Sequence, residues 1–207
     1  MPSPRTDIEV AVREGGLGAV VAANSFARQA QPESAGTSVH DAFTLPLDVV
    51  IRPCTADDLQ GLEWYGLFTH HRPILDDAYA RQQRGRTLML LAVANGFPIG
   101  QAFIDFHARP DEPEPVALLW AVRVYPFLQG FGIGARLLAA AERAIAGRGG
   151  RWAEIGVEKD NPGARRLYER VGYRPHRELL EEFTYTDRQG AEVRVPVDQW
   201  MLRKELR

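Results

Sequence analysis

Gly130, Gly132 and Gly134 alternate within the stretch VRVYPFLQGFGIGA, residues 122–135, between an apolar run and an amphipathic one. Glycines at this spacing let several backbone N–H groups converge on one small space with no Cβ in the way, and a helix starting there adds the positive end of its dipole. Such a space suits phosphate. Gly130-x-Gly132-x-x-Ala135 also satisfies the dinucleotide fingerprint, with Glu154 at a distance suited to a ribose. A dinucleotide fold needs several further strand–helix units, however, and the roughly 70 residues that follow hold one strand, one helix and one hairpin. The adjacent His70 and His71 do not read as a metal pair, because neighbouring side chains point apart on a helix and no third ligand has recognisable spacing.

The elements that must hold this turn fit one domain. The chain has 207 residues, 45% of them hydrophobic and 25% charged, which is ordinary for a globular domain. A net charge of −2 gives no sign of a nucleic-acid or anionic-membrane surface. One cysteine, Cys54, excludes an internal disulfide, and no membrane-length apolar run or signal-peptide layout is visible, so the expected compartment is the cytoplasm.

Residues 1–47 read as an N-terminal extension. They hold an alternating piece at 8–13, a small-residue run at 17–30 that a helix could use, and the turn-rich QAQPESAGTS. A flexible tail, or a helix docking on the domain or on a second copy in a homodimer, would both fit. The domain, residues 48–207, opens with a β-prone run at 49–53. Thr55 then caps a helix with Asp57 and Asp58 in its first turn, and residues 59–84 read as two helices broken near His70-His71-Arg72 by Pro73. Residues 87–94 and 99–107 predict a hairpin around Asn95-Gly96, and 116–124 an apolar strand covered on both faces. From Ile133 the apolar positions Leu137, Leu138, Ala141 and Ile145 repeat at helical spacing. Ala153, Ile155 and Val157 then alternate with Glu154, Gly156 and Glu158 as a half-buried strand. Asn161-Pro162 starts a helix whose stripe is Ala164, Leu167, Tyr168 and Val171, with Gly172 past its end. Residues 179–186 and 193–202 predict a closing hairpin around Asp187-Arg188-Gln189-Gly190.

Gln129-Gly130-Phe131-Gly132-Ile133-Gly134, followed at the right separation by the run from Asn161 to Tyr173, resembles the two signature motifs of the GNAT superfamily of acetyl-coenzyme A-dependent N-acetyltransferases. The resemblance spans residues 49–206. It implies an α/β (α+β) domain: a mixed, mostly antiparallel seven-stranded sheet with helices on both faces and splayed central strands. The implied activity is direct transfer of acetyl from acetyl-CoA, the donor substrate, to a primary amine on a small molecule or peptide. The implied donor site comprises Val122, Arg123, Val124, Gln129, Gly130, Phe131, Gly132, Ile133, Gly134, Ala135, Asn161, Ala164 and Tyr168. Residues 129–135 would take the pyrophosphate, and the main chain of 122–124 the pantetheine arm. Tyr168 would be the general acid, a phenol of ordinary pKa about 10 serving a thiolate of pKa about 8.5. Without the resemblance it would read as a core aromatic.

The amine must attack as a free base, which calls for a proton acceptor. In some members of the family it resembles, a glutamate on the strand before the cofactor turn or early on the next strand takes this role, and the aligned positions here are Leu118 and Gly156. Candidates are Glu158, the preferred one, with Glu154, Asp105, His70 and His71. Each also reads as an ordinary solvated side chain. Glu63, Trp64, Tyr65, His70, Glu181, Glu182 and Tyr185 suggest a partly acidic, aromatic pocket for a cationic amine. A non-catalytic acyl-CoA-binding regulatory module is the alternative function, and an NAD-type oxidoreductase a weaker one.

Overall fold

The computed structural model describes residues 46–186 and 191–206. The expectations for residues 1–45 and for the turn at 187–190 lie outside the described residues. Val49–Pro53 (β1), Thr87–Ala94 (β2), Phe97–Asp105 (β3), Val116–Val124 (β4), Trp152–Glu158 (β5), Arg174–Thr186 (β6) and Glu192–Glu205 (β7) form one sheet. Its order is β1-β2-β3-β4-β5-β7-β6. β4 and β5 run parallel, and every other described neighbouring pair runs antiparallel. Asn95 and Gly96 join β2 to β3 with φ of 48° and 76°, the pair of positive values that a tight hairpin turn matched to strand twist requires.

Two layers of helix bury the two faces. Ile133–Ala146 (α2) and Pro162–Arg170 (α3) cover one, where Leu137, Leu138 and Ile145 pack with Ile104, Leu119 and Ile155. Each such fully buried aliphatic stabilises the fold by roughly 1.5–3 kcal/mol. Arg72–Gln83 (α1) and the segment before it cover the other face, with Leu62, Leu75, Met89, Leu91 and Phe103 at its centre.

That preceding segment departs from the two-helix expectation. Residues 56–71 form three short 3-10 turns, at Ala56–Asp58, Gly61–Glu63 and Thr69–His71. Trp64, Tyr65 and Gly66 take φ of 44°, 56° and 96°, left-handed values that no α-helix can pass through. Trp64 is held there from outside: it is 2% exposed and its indole N–H donates to the Pro98 carbonyl at 2.8 Å. Pro73 does not break a helix; it sits in the first turn of α1, where its missing N–H costs nothing. The first strand of the hairpin matches its expected bounds, whereas β3 starts two residues early and stops short of His107. β4 is not covered throughout: it is buried to Leu119 apart from Leu118, then half-buried from Trp120 onward.

Candidate functional site: a cleft between splayed strands

β4 and β5 pair from Val116 to Leu119 against Trp152 to Ile155, and there the pairing stops. β4 is turned away by a bulge: Ala121 has φ 50°, the β3–β4 register shifts between Gln101 and Phe103, and Gln101 Nε2 donates to the Ala121 carbonyl at 3.1 Å. β5 continues with β7 as far as Glu158. The divergence opens a cleft of about 490 Å³ lined by Val122, Arg123, Val124, Leu128, Gln129, Gly130, Gly132, Ile133, Gly134, Ala135, Asn161, Gly163, Ala164, Leu167, Tyr168 and Arg170. Every residue assigned from sequence to the donor site lines it except Phe131, whose side chain is 76% exposed. Leu128, Gly163, Leu167 and Arg170 belong to the lining and were missed.

The three glycines meet different demands. Gly130 and Gly132 have φ of 85° and 81°, and an added Cβ at either would touch nothing within 4 Å, so the backbone rather than space requires them. At Gly134 an added Cβ would lie 3.1 Å from Leu167 Cδ2, so that glycine lets α2 approach α3. No side chain caps the α2 N-terminus at Gly132, which leaves the first-turn amides to an incoming anion. Gln129 folds back and donates to the Val124 carbonyl at 3.1 Å, tying the turn to the end of β4.

Asn161 caps α3, its Oδ1 accepting from Ala164 N at 3.0 Å. Tyr168 is 5% exposed, and burial pushes its phenol up to about 12. Among the described residues nothing hydrogen-bonds its hydroxyl. Glu158, at the exposed end of β5, lies outside the cleft lining and has no ion pair among the described residues.

The other base candidates are committed elsewhere. Glu154 is not on a wet face: it is fully buried and held by Arg109 at 2.9 Å, Arg177 at 3.1 Å and Arg203 at 2.6 Å. Burial alone would raise its pKa, but hydrogen bonds from Arg203 and Arg109 outweigh this and leave it lowered. Asp105 pairs with Arg81 and accepts from the His107 amide. At Gly156 an added Cβ would lie 2.4 Å from Gln199 Oε1, so an amide from β7 covers that position. Cys54 is buried and its thiol is pushed up to about 12 by burial, which removes it as a nucleophile.

The face of β4 opposite α2 presents Arg123, which shares its register position and face with Gln101. Its guanidinium lies 4.3 Å from the centre of the Phe68 ring, and its Nη2 is 3.3 Å from His71 Nδ1. Burial, then the charges of Arg123 and His70, push His71 down to about 4. Several residues of the expected acidic, aromatic pocket are engaged elsewhere. Glu63 pairs with Arg72 at 2.6 Å, Trp64 is core, and the exposed Tyr65 stacks on Phe97 at 5.2 Å. Glu182 is exposed beside Arg194. The side chains of Glu181 and Tyr185 lie outside those described.

A family model described as the acetyltransferase (GNAT) family matches residues 55–173. Mycothiol acetyltransferase of Nocardiopsis dassonvillei is 40% identical over 60 residues, 29% of this chain and 18% of that protein, so the chain spans under a fifth of that curated relative's length. Two solved structures share the fold. An N-acetyltransferase from Staphylococcus aureus is 16% identical with a TM-score of 0.60, covering 77% of this chain and 99% of its own. A GNAT family acetyltransferase from Elizabethkingia anophelis with acetyl-CoA bound is 21% identical with a TM-score of 0.53, covering 76% and 98%. No described helix is long and apolar enough to cross a membrane.

Proposed function

This chain belongs to the acetyltransferase (GNAT) family, and from that premise we propose that it moves an acetyl group from acetyl-CoA to a primary amine by direct attack in a ternary complex. One observation carries the reading: an uncapped helix N-terminus, a glycine turn and a buried tyrosine line a single cleft at the point where two parallel strands part. Backbone amides around Gly130 to Ala135 hold the pyrophosphate through dipoles rather than lysines. The half-buried end of β4 offers main-chain groups to the pantetheine arm.

Acetyl-CoA supplies the thioester: a neutral amine attacks its carbonyl carbon, the C–N bond forms, and the C–S bond breaks with its electron pair leaving on sulfur. The net proton travels from nitrogen to sulfur. Glu158, reached through water at the end of β5, takes the proton that the nitrogen sheds. Tyr168 serves the sulfur. A phenol near 12 is protonated at physiological pH but holds its proton more tightly than a thiolate of pKa about 8.5 would. Tyr168 therefore keeps its proton and hydrogen-bonds the sulfur as charge develops, and the departing thiolate is protonated from solvent, to which Glu158 passes the proton it took from nitrogen. The buried, high-pKa Cys54 argues against an acetyl-enzyme. The work is placed in the cytoplasm, where that lone thiol stays reduced.

Thiol release with a panel of amines, run on the wild type and on Tyr168→Phe with acetyl-CoA binding measured alongside, tests the reading. The expected outcome is turnover that falls sharply in the variant while acetyl-CoA binding is kept. Binding without turnover on any amine would favour a non-catalytic acyl-CoA module.

A further inference from the structure

Among the described arginines and lysines that are at least half-buried, Arg123 is the exception. Each of the others pairs with a carboxylate, as Arg109 and Arg177 do with Glu154 and Lys204 with Glu142. Arg123 has only an aromatic face and a neutral imidazole. A guanidinium taken out of water without a counter-ion is costly, and the cost shows: burial lowers its pKa to about 10, still well above physiological pH. The charge remains, and no described carboxylate pairs with it.

Its placement adds to this. Arg123 lies on the last part of β4, where the cleft opens, and its backbone lines the donor side while its side chain faces the opposite layer with Phe68 and His71. Glu63, one acid of the pocket expected for a cationic amine, is taken by Arg72. The Ala121 bulge, pinned by the fully buried Gln101, sets the register that sends Arg123 to this face.

We infer that Arg123 receives a carboxylate of the acceptor, so that the amine substrate is one that carries a carboxylate a few bonds from its nitrogen, as in an amino acid or a peptide ending. The inference rests on the acetyl-transfer reading and deepens it. A planar guanidinium stacked on Phe68 offers two parallel N–H donors to a carboxylate, a geometry that a lysine does not supply. Held there, the acceptor presents its nitrogen from the face opposite the pyrophosphate cradle.

The test compares matched amines that differ in one group: L-amino acids against their carboxamides, and ω-amino acids against diamines of equal length. Each is assayed by thiol release with the wild type, Arg123→Met and Arg123→Lys, and acetyl-CoA binding is measured for all three proteins. The expected result is a preference of tenfold or more for the carboxylate member in kcat/KM. Arg123→Met abolishes that preference, Arg123→Lys keeps part of it, and all three bind acetyl-CoA alike. A wild type that favours carboxamides or diamines overturns the assignment. So does an Arg123→Met protein that still binds acetyl-CoA and slows every amine equally, which would place the guanidinium at the thioester instead. Absence of thiol release with any amine sinks the acetyl-transfer reading itself, and the acceptor assignment with it; turnover without a carboxylate preference sinks the assignment alone.

Discussion

The two faces of the sheet at the splayed end of β4 are built from different materials. The proposed donor side is backbone: glycines at φ of 85° and 81°, an uncapped helix N-terminus and the loosened end of β4. The proposed acceptor side is side chains gathered from distant places: Phe68 and His71 from the turns before α1, and Arg123 from β4. A backbone cradle recognises a pyrophosphate through dipoles that do not depend on side-chain identity, so it leaves a local signature. A side-chain pocket can change its ligand by one substitution and leaves none.

Tyr168→Phe should give the largest effect, because it removes the hydroxyl proposed to serve the leaving sulfur. We expect kcat to fall by about 10²–10⁴-fold with the acetyl-CoA dissociation constant unchanged, read by single-turnover kinetics and calorimetry. A loss confined to KM would mean that the tyrosine only fills space.

Gly132→Val should act on the donor side alone. A branched side chain at φ 81° costs on the order of 1–3 kcal/mol, so acetyl-CoA binding should weaken by about 10- to 100-fold while the acceptor KM at saturating donor stays put. Equal changes in both constants would dissolve the distinction between the sides.

Acid should loosen the acceptor side first. His71 sits near 4 in the fold, against about 6.5 when free, so between those values the unfolded chain binds the proton more readily. Its contribution to stability is held above about pH 6.5 and is lost as pH falls toward 4. Asp58 also covers that face and is held down to about 2, its hydrogen bond with Arg52 outweighing burial. It adds its loss only below its ordinary value, near pH 4. Hydrogen exchange from pH 7 to pH 5 should quicken several-fold in residues 56–71, after correction for intrinsic rates, and leave 133–141 unchanged. Uniform quickening would contradict this.

Asn161→Ala should have the smallest effect, costing about 1 kcal/mol of stability through the lost cap on α3 and lowering Tm by a few degrees. A much larger loss of acetyl-CoA binding than of stability would show that its amide also reaches the cofactor arm.

What the sequence makes legible follows the same division. The hairpin at Asn95-Gly96, α2 and the bracketed α3 are specified by neighbours in the chain, and their places are readable from caps, turns and periodicity. The segment at 56–71 is not, because the left-handed run at Trp64 is held by Pro98, which lies across the fold. Glu154 alternates as a wet residue should, yet arginines from a loop and two other strands bury it. Arg123 offered a faint signal, a lone charge in an otherwise apolar strand, but its significance depends on His71, far away in sequence.

Hydrogen exchange of the wild type with and without acetyl-CoA tests most directly where the donor binds. Slowed exchange should be confined to residues 122–135 and 161–168, the end of β4, the glycine turn and the start of α3. Protection elsewhere, or none at saturating acetyl-CoA, would contradict the assignment of this cleft as the donor site.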